Sequence, residues 1–242
     1  MAKQKTAAKK KKKTTKPAAK SLHGKRFSGE NARYRAARDT LLKAEMRLRS
    51  ETEAVAALRR KLPAGGPVAQ DYVFDAPDGT RVRLSELFAE GRHSLIVYNY
   101  MFGPAMAAPC VMCTSILDSL DGASPHVTQR TNLVFVAKSP IERIAEVARG
   151  RGWRNLRLLS SAGNTYNRDY FGETEDGSQM PMLNVFVKRD GRVHHTYGTE
   201  MLFAPSERGQ DGRHVDSIWP LWNLFDLIPE GRGTNWYPKL RY

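Results

Sequence analysis

Two kinds of apolar spacing divide this chain. In its first quarter, apolar side chains recur every seven residues, at Tyr34, Leu41, Leu48, Val55 and Leu62, with Ala37, Ala44 and Leu58 three positions after three of them. That is a narrow helical stripe at coiled-coil spacing, interrupted on its inner line by Glu51. Ser28 or Asn31 is suited to cap its start, and Pro63 with Gly65-Gly66-Pro67 stops it, so a long helix is expected over residues 30–63. The stripe fits two uses, packing on the domain that follows or pairing with a second copy as a homodimer, and the spacing leaves both open.

From residue 68 to 242 the pattern changes to short apolar runs separated by turn residues. Tyr72-Val73-Phe74 and Arg81 to Leu84 flank Asp78-Gly79 and predict a hairpin, followed by a short helix that starts at Ser85-Glu86-Leu87-Phe88 and ends by Gly91. Ser94 to Tyr100 is a continuous apolar run, the pattern of a strand buried on both faces of a parallel sheet. A loop, Met101 to Pro109, leads to Cys110, and Cys113 to Leu120 has helical character that Asp121-Gly122 is expected to close. Leu133 to Ala137 is a second buried strand. Pro140 opens a helix striped by Ile141, Ile144, Ala145 and Ala148, and Leu156 to Leu159 is a third strand. Leu183 to Val187 and Arg192 to Tyr197 flank Arg189-Asp190-Gly191 as a last hairpin, and Val215 to Leu227 is a helical candidate rich in tryptophan. Strand, helix, strand in this order implies right-handed crossovers and parallel neighbours, hence an α/β domain.

Charge changes the picture only at the start. Of the net +14, residues 1–30 carry +10, from ten lysines and Arg26 against Glu30, which leaves an ordinary +4 for the rest. Residues 1–29 read as a disordered Lys-rich tail, because like charges repel and nothing apolar is available to bury. Such a tail is suited to solubility or to weak, non-specific nucleic-acid contact through counterion release. No aromatic residues are interleaved to make a stacking surface. No apolar run reaches the roughly 20 residues of a membrane-spanning helix, and no apolar leader segment opens the chain. A cytoplasmic protein without a membrane partner is expected.

The candidate chemistry lies in the only two cysteines, Cys110 and Cys113. Three positions apart, they are too close to staple a large domain, so a special dithiol fits better than a structural disulfide framework. At a helix start, unsatisfied N–H groups and the helix dipole favour a thiolate. Cys110, the outer residue, is then the nucleophile, and Cys113, one turn inside, resolves the mixed disulfide. Pro109, Val111 and Met112 frame the motif as substrate contacts, and Met180-Pro181, entering the last hairpin, offers backbone groups to an extended peptide. This chemistry needs no cofactor and no metal. Its partners are a protein or small-molecule disulfide and an electron-donating reductase.

Three competing readings have less behind them. Zinc needs about four ligands, no second cysteine pair exists, and His194 and His195 face opposite sides of a strand. Two incidental buried cysteines are a further alternative. A thiol peroxidase of the peroxiredoxin kind would carry Pro-x-x-x-Thr-x-x-Cys, whereas Gly103 and Ala107 stand before Cys110, and Met106 and Cys110 before Cys113. A non-enzymatic binding module using the basic tail stays as a reading from a different functional class.

Several stretches together resemble the uncharacterised thioredoxin-like family catalogued as Domain of Unknown Function 899. They run from about residue 33 to 233 and include Asp71 to Phe74, Met101-Phe102-Gly103-Pro104, the Cys-x-x-Cys, Asp121-Gly122-Ala123 with Pro125-His126, and Gly152-Trp153. Ser160-Ser161, Tyr170-Phe171-Gly172, Leu183 to Phe186, His195-Thr196-Tyr197 and Leu227 to Gly231 complete the set. The resemblance implies a thioredoxin-like three-layer α/β/α sandwich with a mixed central sheet, a leading helix and a C-terminal extension, and it supplies no substrate. In such a fold the Met180–Pro181 bond is expected to be cis and to face the dithiol. Family members often have Gly-Cys-Pro-x-Cys-Ser where this chain has Pro109-Cys110-Val111-Met112-Cys113-Thr114, and Met106 replaces a frequent tryptophan. Redox poise therefore does not transfer. Tyr100, Phe102 and Trp153 are expected to be packing residues, and His126 is a candidate proton relay.

Overall fold

The computed structural model describes residues 22–242, in two units that divide between Lys61 and Leu62. Most of the expected Lys-rich tail, residues 1–21, lies outside the described residues. In the first unit, helix α1 spans Ala32–Lys61. Asn31 caps it, its Oδ1 accepting the Tyr34 N–H at 2.9 Å. Residues 27–30 form a turn, which sets the Phe27 ring 4.5 Å from the Arg38 guanidinium. Arg59, Arg60 and Lys61 fill the last turn and complement the helix dipole. Leu41, Leu48 and Leu58 of the heptad stripe remain exposed.

The second unit is a seven-stranded mixed sheet in the order β2-β1-β5-β4-β3-β6-β7. The strands are β1 Val73–Asp75, β2 Arg81–Arg83, β3 Ser94–Asn99, β4 Asn132–Ala137, β5 Leu158–Ser160, β6 Leu183–Arg189 and β7 Arg192–Gly198. β3 and β4 pair in parallel from Leu95↔Asn132 to Asn99↔Val136, and β4 and β5 also run parallel. β6 lies antiparallel to β3 on its other side and carries β7 at the edge. The subset β4-β3-β6-β7, with a helix joining its first two strands in sequence, is the thioredoxin-like core.

Side-chain alternation builds a core on each face. Tyr98, Leu133, Phe135 and Ala137 point to one face, against α2 (Val111–Val127), α3 (Ile141–Arg151) and α5 (Pro220–Phe225). Leu95, Val97, Val134 and Val136 point to the other, where Tyr72, Phe74, Phe186 and Tyr166 of the short helix α4 (Tyr166–Asp169) meet them. The domain is thus an α/β thioredoxin-like sandwich, with its longer helices on the dithiol side. Asp190 and Gly191 both have positive φ, 50° and 74°, the geometry of the tight hairpin turn between β6 and β7.

Four local expectations change. α2 does not stop at Asp121-Gly122. Gly122 keeps a helical conformation, because the Asp121 carboxylate is taken by the Arg154 and Asn155 N–H groups at 2.9 and 2.8 Å instead of closing a turn. The helix from Ser85 is only a 3-10 turn, Leu84–Glu86. The C-terminal helix is divided into a 3-10 turn, Asp216–Ile218, and α5, because Pro220 lacks an N–H and suits only a helix's first turn. The Met180–Pro181 bond is trans, as are all peptide bonds among the described residues. Pro181 instead centres a γ-turn closed by the Met182 N–H on the Met180 carbonyl at 3.0 Å, a turn that its fixed φ fits without a cis bond.

Gly172 holds the chain leading to this turn, its carbonyl accepting the Met180 N–H at 2.9 Å. A Cβ there would sit 1.6 Å from Nδ2 of the fully buried Asn99 at the end of β3. Gly172→Ala should therefore cost about 2 kcal/mol in denaturant unfolding, and adding Asn99→Ala should restore most of it. An unaltered single variant would contradict this packing.

Candidate active site

The dithiol sits where β3 ends and α2 begins. The intervening loop, 101–109, is held by the start of α3. Ser139 donates its N–H to the Phe102 carbonyl at 2.8 Å and its hydroxyl to Gly103 O at 3.1 Å. The Arg143 guanidinium lies 4.5 Å from the Phe102 ring centroid and donates to the carbonyls of Pro104 at 3.1 Å and Met106 at 2.5 Å. The Cys110 N–H then closes onto Met101 O at 3.0 Å. Gly103 leaves no space for a side chain, since a Cβ would meet Gln179 at 2.9 Å.

Cys110 is the N-cap of α2, and its carbonyl accepts the Thr114 N–H at 3.0 Å and hydroxyl at 2.8 Å. Tyr100 OH lies 2.9 Å from that Thr114 hydroxyl. Cys110 is half-buried, Cys113 is buried, and both are free thiols. Their ionisation is split. A hydrogen bond from the Cys113 thiol lowers the Cys110 pKa from 9.0 to about 6, against an opposing effect of burial. The Cys110 sulfur makes no close capping bond, but the Met112 and Cys113 N–H groups also favour its thiolate. The same hydrogen bond, together with burial, holds Cys113 well above the ordinary thiol range. Tyr98 donates its hydroxyl to Cys113 Sγ at 3.2 Å. Burial and the neighbouring Cys113 keep that phenol protonated.

Both sulfurs face a cavity of about 460 Å³. Tyr98, Met101, Met112, Ile116 and Pro181 form part of its wall, and the chain from Asp211 to Tyr237 forms the remainder, including Trp219, Trp222 and Trp236. That segment is fixed by an ion-pair cluster. Arg232 bonds Asp226 at 2.7 Å and Asp216 at 2.5 Å, and Arg213 bonds Asp226 at 2.8 Å. These pairs hold the Asp226 carboxyl well below its ordinary range.

Of the residues singled out from sequence, Cys110, Cys113, Met112 and Pro181 meet around this cavity. Pro109 is buried, and none of Pro109, Val111 and Met180 is in the wall. The Met180 N–H and carbonyl are already paired with Gly172 and Met182, so the expected offer of backbone groups to a peptide is not available. His126 lies in the last turn of α2, roughly 24 Å along the helix from Cys110, too far to relay a proton. Trp153 packs edge-on against Tyr100 and donates to Asp118, and Tyr100 and Phe102 are buried. Among the described residues no three His, Cys, Asp or Glu side chains are placed to hold a metal. Sequence reading missed Tyr98, Arg143 and the C-terminal wall. Only the density of tryptophan after residue 218 hinted at the last of these.

Alkylation of the reduced protein by iodoacetamide should show a first step at Cys110 with a midpoint near pH 6, read by mass spectrometry. An acid whose folded pKa is depressed stabilises the fold above its unfolded pKa, and that stability is lost as pH falls through the folded value. The stability of the reduced protein relative to Cys110→Ser should therefore rise between pH 6 and pH 9. A midpoint near 9 would remove the basis for a Cys110 thiolate.

Solved structures similar to this chain include peroxidoxin BcpB from Mycobacterium tuberculosis, 23% identical over 65% of this chain and 94% of that chain, with a TM-score of 0.43. The bacterioferritin comigratory protein of Xanthomonas campestris is 12% identical over 66% and 96%, with a TM-score of 0.45. The exposed lipoprotein thioredoxin Etrx1 of Streptococcus pneumoniae is 13% identical over 62% and 98%, with a TM-score of 0.41. No curated protein matches. The sequence model of the family described as bacterial protein of unknown function, DUF899, matches residues 25–242, nearly the whole chain, and the protein belongs to that family.

Proposed function

We propose that this protein is a thiol–disulfide oxidoreductase in which Cys110 attacks and Cys113 resolves. The observation that carries the reading is the opposed ionisation of two adjacent sulfurs, one half-exposed with a pKa of about 6, the other buried and protonated. In the first step the Cys110 thiolate attacks a substrate disulfide, forming a mixed disulfide and expelling one substrate thiolate. Cys110 then carries no negative charge, so the hydrogen bond that kept the proton on Cys113 loses its acceptor. The Tyr98 hydroxyl and the Met101 N–H now favour the Cys113 thiolate. Its proton passes to the departing thiolate. Cys113 attacks Cys110 Sγ, releases the second substrate group as a thiolate, which takes its proton from water, and leaves a Cys110–Cys113 disulfide. Two electrons have moved from the dithiol to the substrate, and an external dithiol reductant returns them.

Differential alkylation across a dithiothreitol redox series should show a reversible two-electron transition, in the range of roughly −200 to −270 mV found for cytosolic exchange proteins. Cys113→Ser should accumulate the mixed disulfide, and Cys110→Ser should lose turnover while retaining its fold. No intramolecular disulfide at any poise would end the proposal, and consumption of hydrogen peroxide through a Cys110 sulfenic acid would replace it with a thiol peroxidase. Tyr98→Phe should slow resolution of the mixed disulfide about tenfold, the size of a lost hydrogen bond to a charged sulfur, with the first step unchanged in a stopped-flow trace.

A further inference from the structure

The cavity beside the sulfurs also bears on what reaches them. We propose that the C-terminal segment from Asp211 to Tyr237 makes the dithiol a pocket for small, uncharged, aromatic or aliphatic disulfides and closes it to polypeptide disulfides. This rests on the dithiol reading above.

The size of the space comes first. About 460 Å³ lies within the range of small-molecule pockets, roughly 300–1,000 Å³. The tryptophan wall stands beside the sulfurs, where a folded polypeptide presenting its disulfide would have to lie. The wall is also internally supported. Trp222 packs edge-on against Trp219, Phe225 and Trp236, with ring centroids 5.4, 5.7 and 6.2 Å apart. Such rings offer large, rigid apolar faces to a ligand body.

Charge is the second argument. The cations at the cavity, Arg213 and Arg232, are already engaged by Asp211, Asp216 and Asp226. An anionic disulfide would have to break these pairs to gain a partner, and a cationic one would find the carboxylates occupied. His214, also in the wall, is held toward its neutral form by burial. The third argument is the backbone. An extended peptide beside a dithiol needs main-chain partners, and those of Met180 are spent within the chain. The reaction is then R–S–S–R plus the dithiol giving two R–SH and the Cys110–Cys113 disulfide, with the R groups lodged against Trp222 and Trp236.

The test compares two activated aryl disulfides that differ in charge, neutral dithiodipyridine and the dicarboxylate dithiobis(nitrobenzoate), with insulin as the polypeptide. Each rate constant for the reduced full-length protein is divided by that for a free small thiol, to remove intrinsic reactivity. Dithiodipyridine should exceed each of the others at least tenfold and show saturation. In Trp236→Ala, or in Tyr237→Ala should the first not fold, the ratio between the aryl pair should fall about tenfold. Equal normalised rates, or a ratio unmoved by both substitutions, overturns the proposal. Dipyridyl sulfide, a thioether that cannot exchange, separates this failure from that of the dithiol reading. Quenching of tryptophan fluorescence in Cys110→Ser/Cys113→Ser by this probe supports the pocket even where no exchange occurs. Exchange without such binding overturns the pocket and leaves the dithiol.

Discussion

The parallel pairing of β3 with β4 is the constraint on which the site depends. Both strands are buried on both faces, so each backbone group must pair within the sheet and each side chain must find a core. Parallel neighbours need a crossover, and α2 supplies it. The helix must begin just past the carboxyl end of β3, and its unsatisfied N–H groups therefore gather where the chain leaves the sheet. Cys110 stands at that point, so the acidity of its thiol is a consequence of strand pairing as much as of its own neighbours.

Within that frame one hydrogen bond divides the pair. The Cys113 thiol donates to the Cys110 sulfur, and the same contact lowers one pKa and raises the other. Tyr98, rising from β3 beneath Cys113, adds a second donor to the buried sulfur. Arg143 and Ser139 at the start of α3 hold the approach loop by its carbonyls, which fixes the direction in which α2 departs. Charge on one sulfur is thereby coupled to proton position on the other.

The C-terminal segment gives the site one wall. Residues 211–237 contain few buried backbone ladders, so the segment relies on side-chain pairs, with Asp216 and Asp226 shared by Arg213 and Arg232. Networks of this kind hold a surface segment more firmly than isolated ion pairs do. They also consume the charges that would otherwise recruit ionic ligands, so the element that shapes the cavity makes its chemistry apolar.

The order of elements, the two buried strands, the hairpin at Asp190-Gly191, the long first helix and the dithiol at a helix start were legible in the sequence. Each rests on a local signal: a continuous apolar run, a helical or seven-residue recurrence, a turn residue with positive φ, or a cap. The trans bond at Pro181, the continuation of α2 through Gly122 and the roles of Tyr98 and Arg143 were not legible. Each depends on a partner distant in sequence: Met182 turning back on Met180, Arg154 and Asn155 taking Asp121, Cys113 above Tyr98, and the loop carbonyls above Arg143. The sequence alone determined that two thiols stand together at a helix start behind a buried strand, because the apolar run, the cysteine spacing and the helical pattern are all local signals. Only the tertiary structure decided how the proton is shared between the two sulfurs and what lines the cavity beside them. Burial and hydrogen-bond geometry are set by residues that meet at the site only after the chain has closed on itself.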